Sequence, residues 1–538
     1  LRRGQIIFVI IRSMKAKTQT GILTQFHKLI SSQPQLKILI VAPEASPYAN
    51  VGGIARVIAH LSLALARLGH DVRIFMPKFG FIDEEKYPMD KVINGLKVPT
   101  GAPEGEGDPF LICNVKTHTP PIGVPAYFLE NMEYYEKRAN VYGYSDDSLR
   151  WALLSRGAIE FIKMGGFVPD VVHTNDWQTG LLPNYLRSVY DRDKKLLDIC
   201  TVFTIHNLHY QGMFDHRNIS ELDFDDGRSE IASFFDERLT KQNFLKRGVL
   251  FSDVVSTVSE TYSREILTPA YGECLEKLLL EVRSKIFGIT NGIDYDEFNP
   301  ATDPNLANNY DARNLADRYR NKVALQKEFG LKEDPSIPII AAEGRLDAQK
   351  GLDMTVEPLS KILSMYDVQF IALGGGDLGI ADALRSLKNK FPDKVGLHLM
   401  PNFALPRLIF AGSDIMLFPS RFEPCGLVQM EGMRYGAVPV ARMVGGLVDT
   451  VKNFDAAKDT GCGFTFKDFD PWQFFGSLIR ALEVYNNKEV WEKLVKRCME
   501  QDFSWETSAA RYTELYYKAV RLRRQDLISS GQLLPSET

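Results

Sequence analysis

Short apolar runs, set off by proline, glycine or polar residues, recur in two successive series along this chain. The first series holds Leu36–Ala42, Asp71–Met76, Pro125–Leu129, Asp170–Trp177, Thr201–Asn207, Asp253–Val258 and Lys285–Thr290. The second holds Pro338–Ala342, Val368–Leu373, Val395–Leu399, Asp414–Phe418 and Ala437–Ala441. Helical patterns separate them, beginning with Ile54–Leu68, which Gly69 closes. Apolar runs of strand length bounded by turn residues read as buried strands. Strands that alternate with helices read as parallel β/α units. Two such series predict two doubly wound α/β domains whose facing strand ends border a deep cleft. The length agrees, since 538 residues exceed what one hydrophobic core organises. Residues 84–110, with their acids, glycines and prolines, read as an excursion from the first series.

Composition excludes more than it suggests. A formal charge of -4 exerts no pull toward nucleic acid or an anionic membrane, so a phosphate compound must be held by a local cluster. The cysteines (Cys113, Cys200, Cys274, Cys425, Cys462 and Cys498) are scattered, with no CxxC or Cys/His spacing. That argues against structural zinc, leaves no metal site expected, and fits a reducing, cytoplasmic setting. Ile6–Ile11, behind two arginines, looks like the start of a signal peptide. It lacks a cleavage pattern and is too short to cross a membrane. Met14 is the first methionine, and residues 1–34 are expected to form a flexible or loosely attached extension.

In doubly wound domains ligands bind beyond the carboxyl ends of the strands, so the loops there carry the chemistry. Gly52-Gly53 opens a helix and allows backbone N–H groups to approach an anion, though a tight turn is the plainer reading. His173 and His206 both arrive at a strand-to-loop margin; histidines in apolar strands usually satisfy a core hydrogen bond. Arg345 supplies a planar fork and Lys350 a mobile point charge in the loop Ala342–Gly351. Alone such a pair is surface decoration, but it suits a diphosphate leaving group whose charge grows as its bond breaks. Gly374–Asp377 and Gly445-Gly446 add further glycine turns.

Glu423 and Glu431 stand eight residues apart, one in the loop after Asp414–Phe418 and one about two turns into the next helix. They could hold the hydroxyls of a sugar and a ribose, or one could cap the helix while the other faces solvent. No nucleophile–base–acid triad stands out, and neither Ser259 nor Ser420 lies in a G-x-S-x-G elbow. Cys425 is read as a small thiol shaping the loop. The composite suits transfer of a group from a nucleoside diphosphate.

Several longer motifs, in order along residues 36–520, resemble the glycogen/starch synthase family of bacterial and archaeal type. They are Pro43–Pro47 with Val51–Ile54, Tyr142–Asp146, His173–Gly180, Thr204–Phe214, Arg345–Gly351, Ser420–Leu427 and Asp502–Trp505. The resemblance implies a retaining glycosyltransferase with the GT-B fold: two Rossmann-like doubly wound domains facing across a cleft. It implies an acceptor-side domain at 35–290, a nucleotide-sugar domain at 291–502, and a helix at 503–520 that crosses back, with 521–538 as a tail. It also implies glucose transfer from ADP-glucose or UDP-glucose to the non-reducing end of an α-1,4-glucan or maltooligosaccharide, with no metal, cofactor, nucleic acid or membrane.

On the same resemblance, Arg345 and Lys350 bind the diphosphate and Glu423 sits beside the transferred glucose. His173 hydrogen-bonds the sugar, and its backbone stabilises positive charge at C1. Asp146 lines the donor or acceptor side. Gly52 and Gly53 lie under the diphosphate, with Gly445 and Gly446 counted among the donor-binding turns, and Glu431 takes the ribose hydroxyls.

The sequence departs from the family pattern at Asn50, which stands in a lysine position, at Arg56, which replaces an acid, and at Val444, which replaces a threonine. Glu431 completes an E-x7-E spacing that many bacterial members lack. These departures leave the donor open between ADP-glucose and UDP-glucose and leave room for a short acceptor. Another retaining GT-B transferase acting on a small saccharide or glycoside is the nearest alternative. A non-catalytic glucan-binding protein is disfavoured by the presence of Arg345, Lys350, Glu423 and His173 together.

Overall fold

A computed structural model describes residues 34–533, except 103, 106, 166, 214–232, 235–238, 240 and 403. The expected extension at 1–34, the end of the tail and the last residue of the motif Thr204–Phe214 lie outside the described residues, apart from Pro34. Two sheets organise the chain. The first runs in the order β3-β4-β5-β2-β1-β6-β7-β8-β9 and the second β12-β11-β10-β13-β14-β15.

In the first sheet, β1 (Lys37–Val41), β2 (Asp71–Pro77), β5 (Ala126–Glu130), β6 (Val171–Asn175), β7 (Cys200–Ile205), β8 (Val254–Thr257) and β9 (Ile286–Gly288) are parallel. The second sheet is parallel throughout: β10 (Ile339–Glu343), β11 (Gln369–Leu373), β12 (Val395–His398), β13 (Ile415–Phe418), β14 (Val438–Arg442) and β15 (Phe464–Phe466). Helices cover both faces of such sheets, which is why the central strands read as unbroken apolar runs.

The excursion is built differently from its sequence reading. β3 (Asp90–Pro99) and β4 (Phe110–His118) pair antiparallel and extend the first sheet at its edge. β3 is largely exposed, so its residues carry the polar composition of a loop while still completing a ladder.

The order of strands fixes where ligands can enter. β1 lies between β2 and β6, and β10 lies between β11 and β13, so the connections reverse direction beside β1 and β10. A crevice opens at the carboxyl ends of strands at such a reversal. Beyond β1 and β6 lie Pro43–Gly53 and Asp176–Gly180. Beyond β10 and β13 lie Gly344–Gly351 and Pro419–Leu427. The two sets belong to different domains, and the domains touch through the segment after β8. Ser259 Oγ donates to the Pro424 carbonyl (2.6 Å), and Thr261 donates through N and Oγ1 to Asp449 (2.9 and 2.7 Å).

The helix Trp505–Ser529 returns from the second domain to the first. Its Trp505, Ala509, Tyr512, Leu515, Tyr516 and Ala519 belong to the first domain's core. It runs past residue 520 and ends at Ser529, with Leu527 buried, so much of the expected tail is helix.

A charged clasp closes the hinge side. His60, on the helix Gly53–Arg67, lies 2.9 Å from Asp294 and 3.5 Å from Glu297, just beyond the crossing into the second domain. Burial lowers the His60 pKa, but the hydrogen bonds to Asp294 and Glu297 outweigh it and push it up to about 9. A raised histidine pKa stabilises the fold fully below the unfolded value and loses that stabilisation as pH rises through the folded value. Discounted for the exposed Glu297, the clasp contributes on the order of 2 kcal/mol. Denaturant unfolding should show His60→Gln less stable than the parent by about that amount at pH 6, with the gap closing by pH 10. A gap that persists at pH 10, or is missing at pH 6, would remove the clasp from the account.

Candidate active site

On the second domain, Lys350 Nζ donates to Glu423 Oε2 at 2.7 Å, and Ser420 Oγ donates to the same oxygen at 3.2 Å. Glu423 is buried, whereas Lys350 keeps part of its side chain in the cleft. Gly351, at φ 70°, makes the turn that follows the lysine, and a Cβ there would stand 2.2 Å from the Pro419 carbonyl oxygen. Only glycine lets the two loops close enough for the pair to form. Arg345 is mostly exposed and is steadied by Asp347 at 3.2 Å, with Tyr210 of the first domain reaching it across the cleft. The basic pair and the loop acid predicted from sequence are thus brought together.

The glycine turns are occupied from within. Gly52 N and Val51 N both donate to Glu44, a fully buried carboxylate. Gly445 N donates to both oxygens of Glu265, from the helix Glu260–Glu265 of the first domain, and Gly446 N donates to the Glu423 carbonyl. Internal groups thus take the N–H donors of Gly52, Gly445 and Gly446. Their smallness has another use. A Cβ at Gly445 would stand 1.9 Å from the Glu423 carbonyl oxygen, and one at Gly446 would stand 2.1 Å from that of Cys425, so both glycines set the depth of the Glu423 loop. Gly53 opens its helix, and a Cβ there would meet nothing within 4 Å.

His173 does not reach the cleft. It is the middle residue of β6 and wholly buried, with Nδ1 2.8 Å from the Tyr516 hydroxyl and Nε2 2.6 Å from Thr204 Oγ1. Burial pushes its pKa down to about 3, so it is a neutral core histidine. Its carbonyl accepts from Asn175 Nδ2, which engages the backbone that was expected to face C1. The histidine at the margin is His206, one residue past β7, whose Nε2 lies 3.0 Å from Asn175 Oδ1. Burial pushes its pKa down to about 3 as well.

Asp146 stands near the start of the helix Asp147–Met164. Arg138 donates to its Oδ2, while its buried Oδ1 has no hydrogen-bond partner.

Three acids were missed by sequence reasoning. Glu44 lies in Pro43–Pro47 and Asp176 in His173–Gly180, motifs noted without assigning either residue. Burial raises both carboxyl groups to about 7, against the backbone hydrogen bonds that each accepts. Asp176 also sits at φ 54°, a backbone conformation costly for a non-glycine residue. An acid directly after a strand, inside a motif, was the available signal. The third, Glu343, ends β10.

Glu431 is buried and paired across the cleft with Arg56, whose Nη1 lies 2.9 Å from its Oε1. The arginine that departs from the family pattern therefore bridges the domains. Cys425 is buried, and burial pushes its thiol up to about 12, consistent with a role in packing.

Two Rossmann-like domains thus face each other across a cleft, which is the arrangement of the GT-B fold seen in the starch synthase structure below. A family profile described as the starch synthase catalytic domain matches residues 37–281, and one described as glycosyl transferases group 1 matches residues 337–483. A glycogen synthase of Thermosipho melanesiensis is 40% identical over 489 residues, covering 91% of this chain and 100% of the relative. Glycogen synthase 2 of Geobacter sulfurreducens is 40% identical over 498 residues, again covering 91% and 100%. The catalytic domain of starch synthase IV from Arabidopsis thaliana, solved bound to ADP and acarbose, superposes with a TM-score of 0.79 at 33% identity. That match covers 91% of this chain and 100% of the solved one. The chain belongs to the glycogen/starch synthase family.

Proposed function

We propose that this protein elongates an α-1,4-glucan, taking glucose from ADP-glucose or UDP-glucose and retaining the α configuration. The observation that carries the reading is the Lys350–Glu423 pair at the β10/β13 reversal, with Arg345 beside it. Support also comes from the ADP and acarbose held by the plant relative. Arg345 and Lys350 meet the diphosphate, and their charge counts most as the glucose C1–oxygen bond breaks and negative charge gathers on the leaving oxygen. Glu423 is held rigid by Lys350 and Ser420 and accepts hydrogen bonds from the glucose hydroxyls.

The leaving phosphate takes the proton of the acceptor hydroxyl on the same face of the sugar, which accounts for retention. Glu431 is assigned to the ribose, Asp146 with its unpartnered Oδ1 to the sugar side, and Gly53 to the open helix start beneath the diphosphate. His206 takes the first-domain position expected of His173. Interdomain contacts at Ser259, Thr261 and Arg56 hold the cleft shut, which excludes water from a reactive glucosyl centre. The protein acts in the cytoplasm on this reading; among the described residues no helix is long and apolar enough to cross a membrane.

Initial rates with each donor and glycogen, followed by sizing of the product, test this directly. Chain-length growth is expected with at least one donor. Transfer only to short saccharides would move the assignment to a small-acceptor transferase, and release of free glucose alone would refute it.

A further inference from the structure

Glu343 is the last residue of β10, on the strand that borders the reversal, yet none of the roles above uses it. Its Oε2 is sealed from solvent and has no hydrogen-bond partner. A carboxylate oxygen left so is costly, and folds keep one chiefly where something else completes it. The groups that act on it electrostatically are Glu431, Lys350 and Arg56, which are a neighbouring acid and two cations of the same cleft. Burial first, and Glu431 next, raise the Glu343 carboxyl to about 7, against the opposing pull of Lys350 and Arg56. Gly344 follows at φ 135°, and a Cβ there would meet nothing within 4 Å, so the turn after the acid is uncrowded.

Two carboxylates beside a cationic diphosphate subsite match a vicinal diol. Each offers acceptor oxygens and no donor, while each hydroxyl of a ribose offers a proton. Glu431 has Arg56 as its partner, whereas Glu343 Oε2 has none.

We propose that Glu343 is a donor-recognition residue whose free oxygen accepts a hydrogen bond from a ribose hydroxyl of the nucleoside diphosphate. The inference rests on reading the cleft as a nucleotide-sugar site, and it adds to Glu431 a second acid that reads ribose. Arg56 offsets the charge of the two acids, supplying from the first domain a positive charge that Asn50 does not.

The test uses Glu343→Gln in the full chain, with calorimetric binding of ADP or UDP (whichever the parent binds more tightly), of its 2′-deoxy and 3′-deoxy forms, and of pyrophosphate. Glutamine keeps the shape and removes the charge beside Glu431, so the melting temperature should hold or rise. Nucleoside diphosphate affinity should fall about tenfold, as expected for one lost charge-assisted hydrogen bond. The parent's penalty for one deoxy form should vanish, and pyrophosphate binding should not change. Unchanged nucleotide affinity, a deoxy penalty that survives in the variant, or an equal loss for pyrophosphate overturns the proposal. So does a fall in melting temperature of more than a few degrees, which would mark a structural carboxylate. If the parent binds neither ADP nor UDP, the nucleotide-sugar reading itself fails, and that outcome is separate from a failure of Glu343 alone.

Discussion

Replacing Lys350 with alanine should lower turnover about a thousandfold and also weaken the fold. On the proposed assignment, the first effect follows from removing a positive charge where the leaving diphosphate would gain negative charge, a loss that typically costs roughly two to three orders of magnitude. The second follows from Glu423. With Lys350 gone, a buried carboxylate retains only the Ser420 hydroxyl on the oxygen that both now share. Stranding one partner of such a pair costs several kcal/mol when burial is complete; with Lys350 partly exposed, about 2 kcal/mol is expected. Single-turnover rates at saturating donor and a denaturant melt would check the two effects separately. Turnover within tenfold of the parent would take Lys350 out of the chemistry, whatever the melt showed.

Arg345→Ala makes the complementary case. Its side chain is mostly exposed and meets Asp347 and Gln349 only loosely, so the fold does not lean on it. Stability should stay within about 0.5 kcal/mol of the parent, as for most surface substitutions. Turnover should nevertheless drop about a hundredfold, and Arg345→Lys should recover only part of the loss, because an ammonium lacks the fork that grips two phosphate oxygens at once. The informative readout is kcat against donor KM. A loss confined to KM would mean that Arg345 binds donor and transition state equally and does not stabilise the departing charge.

Much of this site was legible in the sequence because strand ends can be read locally. β10 to β14 fall within a residue or two of their apolar runs, whereas the three-residue β15 was not read; the Arg345–Gly351 and Ser420–Leu427 loops follow from these strands. What could not be read was register and distance. His173 and His206 look alike in sequence, each closing an apolar run before polar residues. Only the pairing of β6 between β1 and β7, with Tyr516 arriving from the far end of the chain, puts the first in the core and leaves the second at the rim. Arg56 and Glu431 are 375 residues apart, so their ion pair had no local signature. The β3–β4 hairpin was hidden for another reason: an exposed edge ladder is held by backbone pairing and needs little apolar content.

The helix Trp505–Ser529 also bears on the order in which the molecule is made. A ribosome releases the first domain's strands early, but the aromatic side chains that seal their back face come last, after the whole second domain. Until then His173 lacks the Tyr516 hydroxyl, and the floor beneath the cleft loops is unfinished. Synthesis therefore completes the first domain's half of the cleft only after the second domain's half exists, so the two walls are finished together.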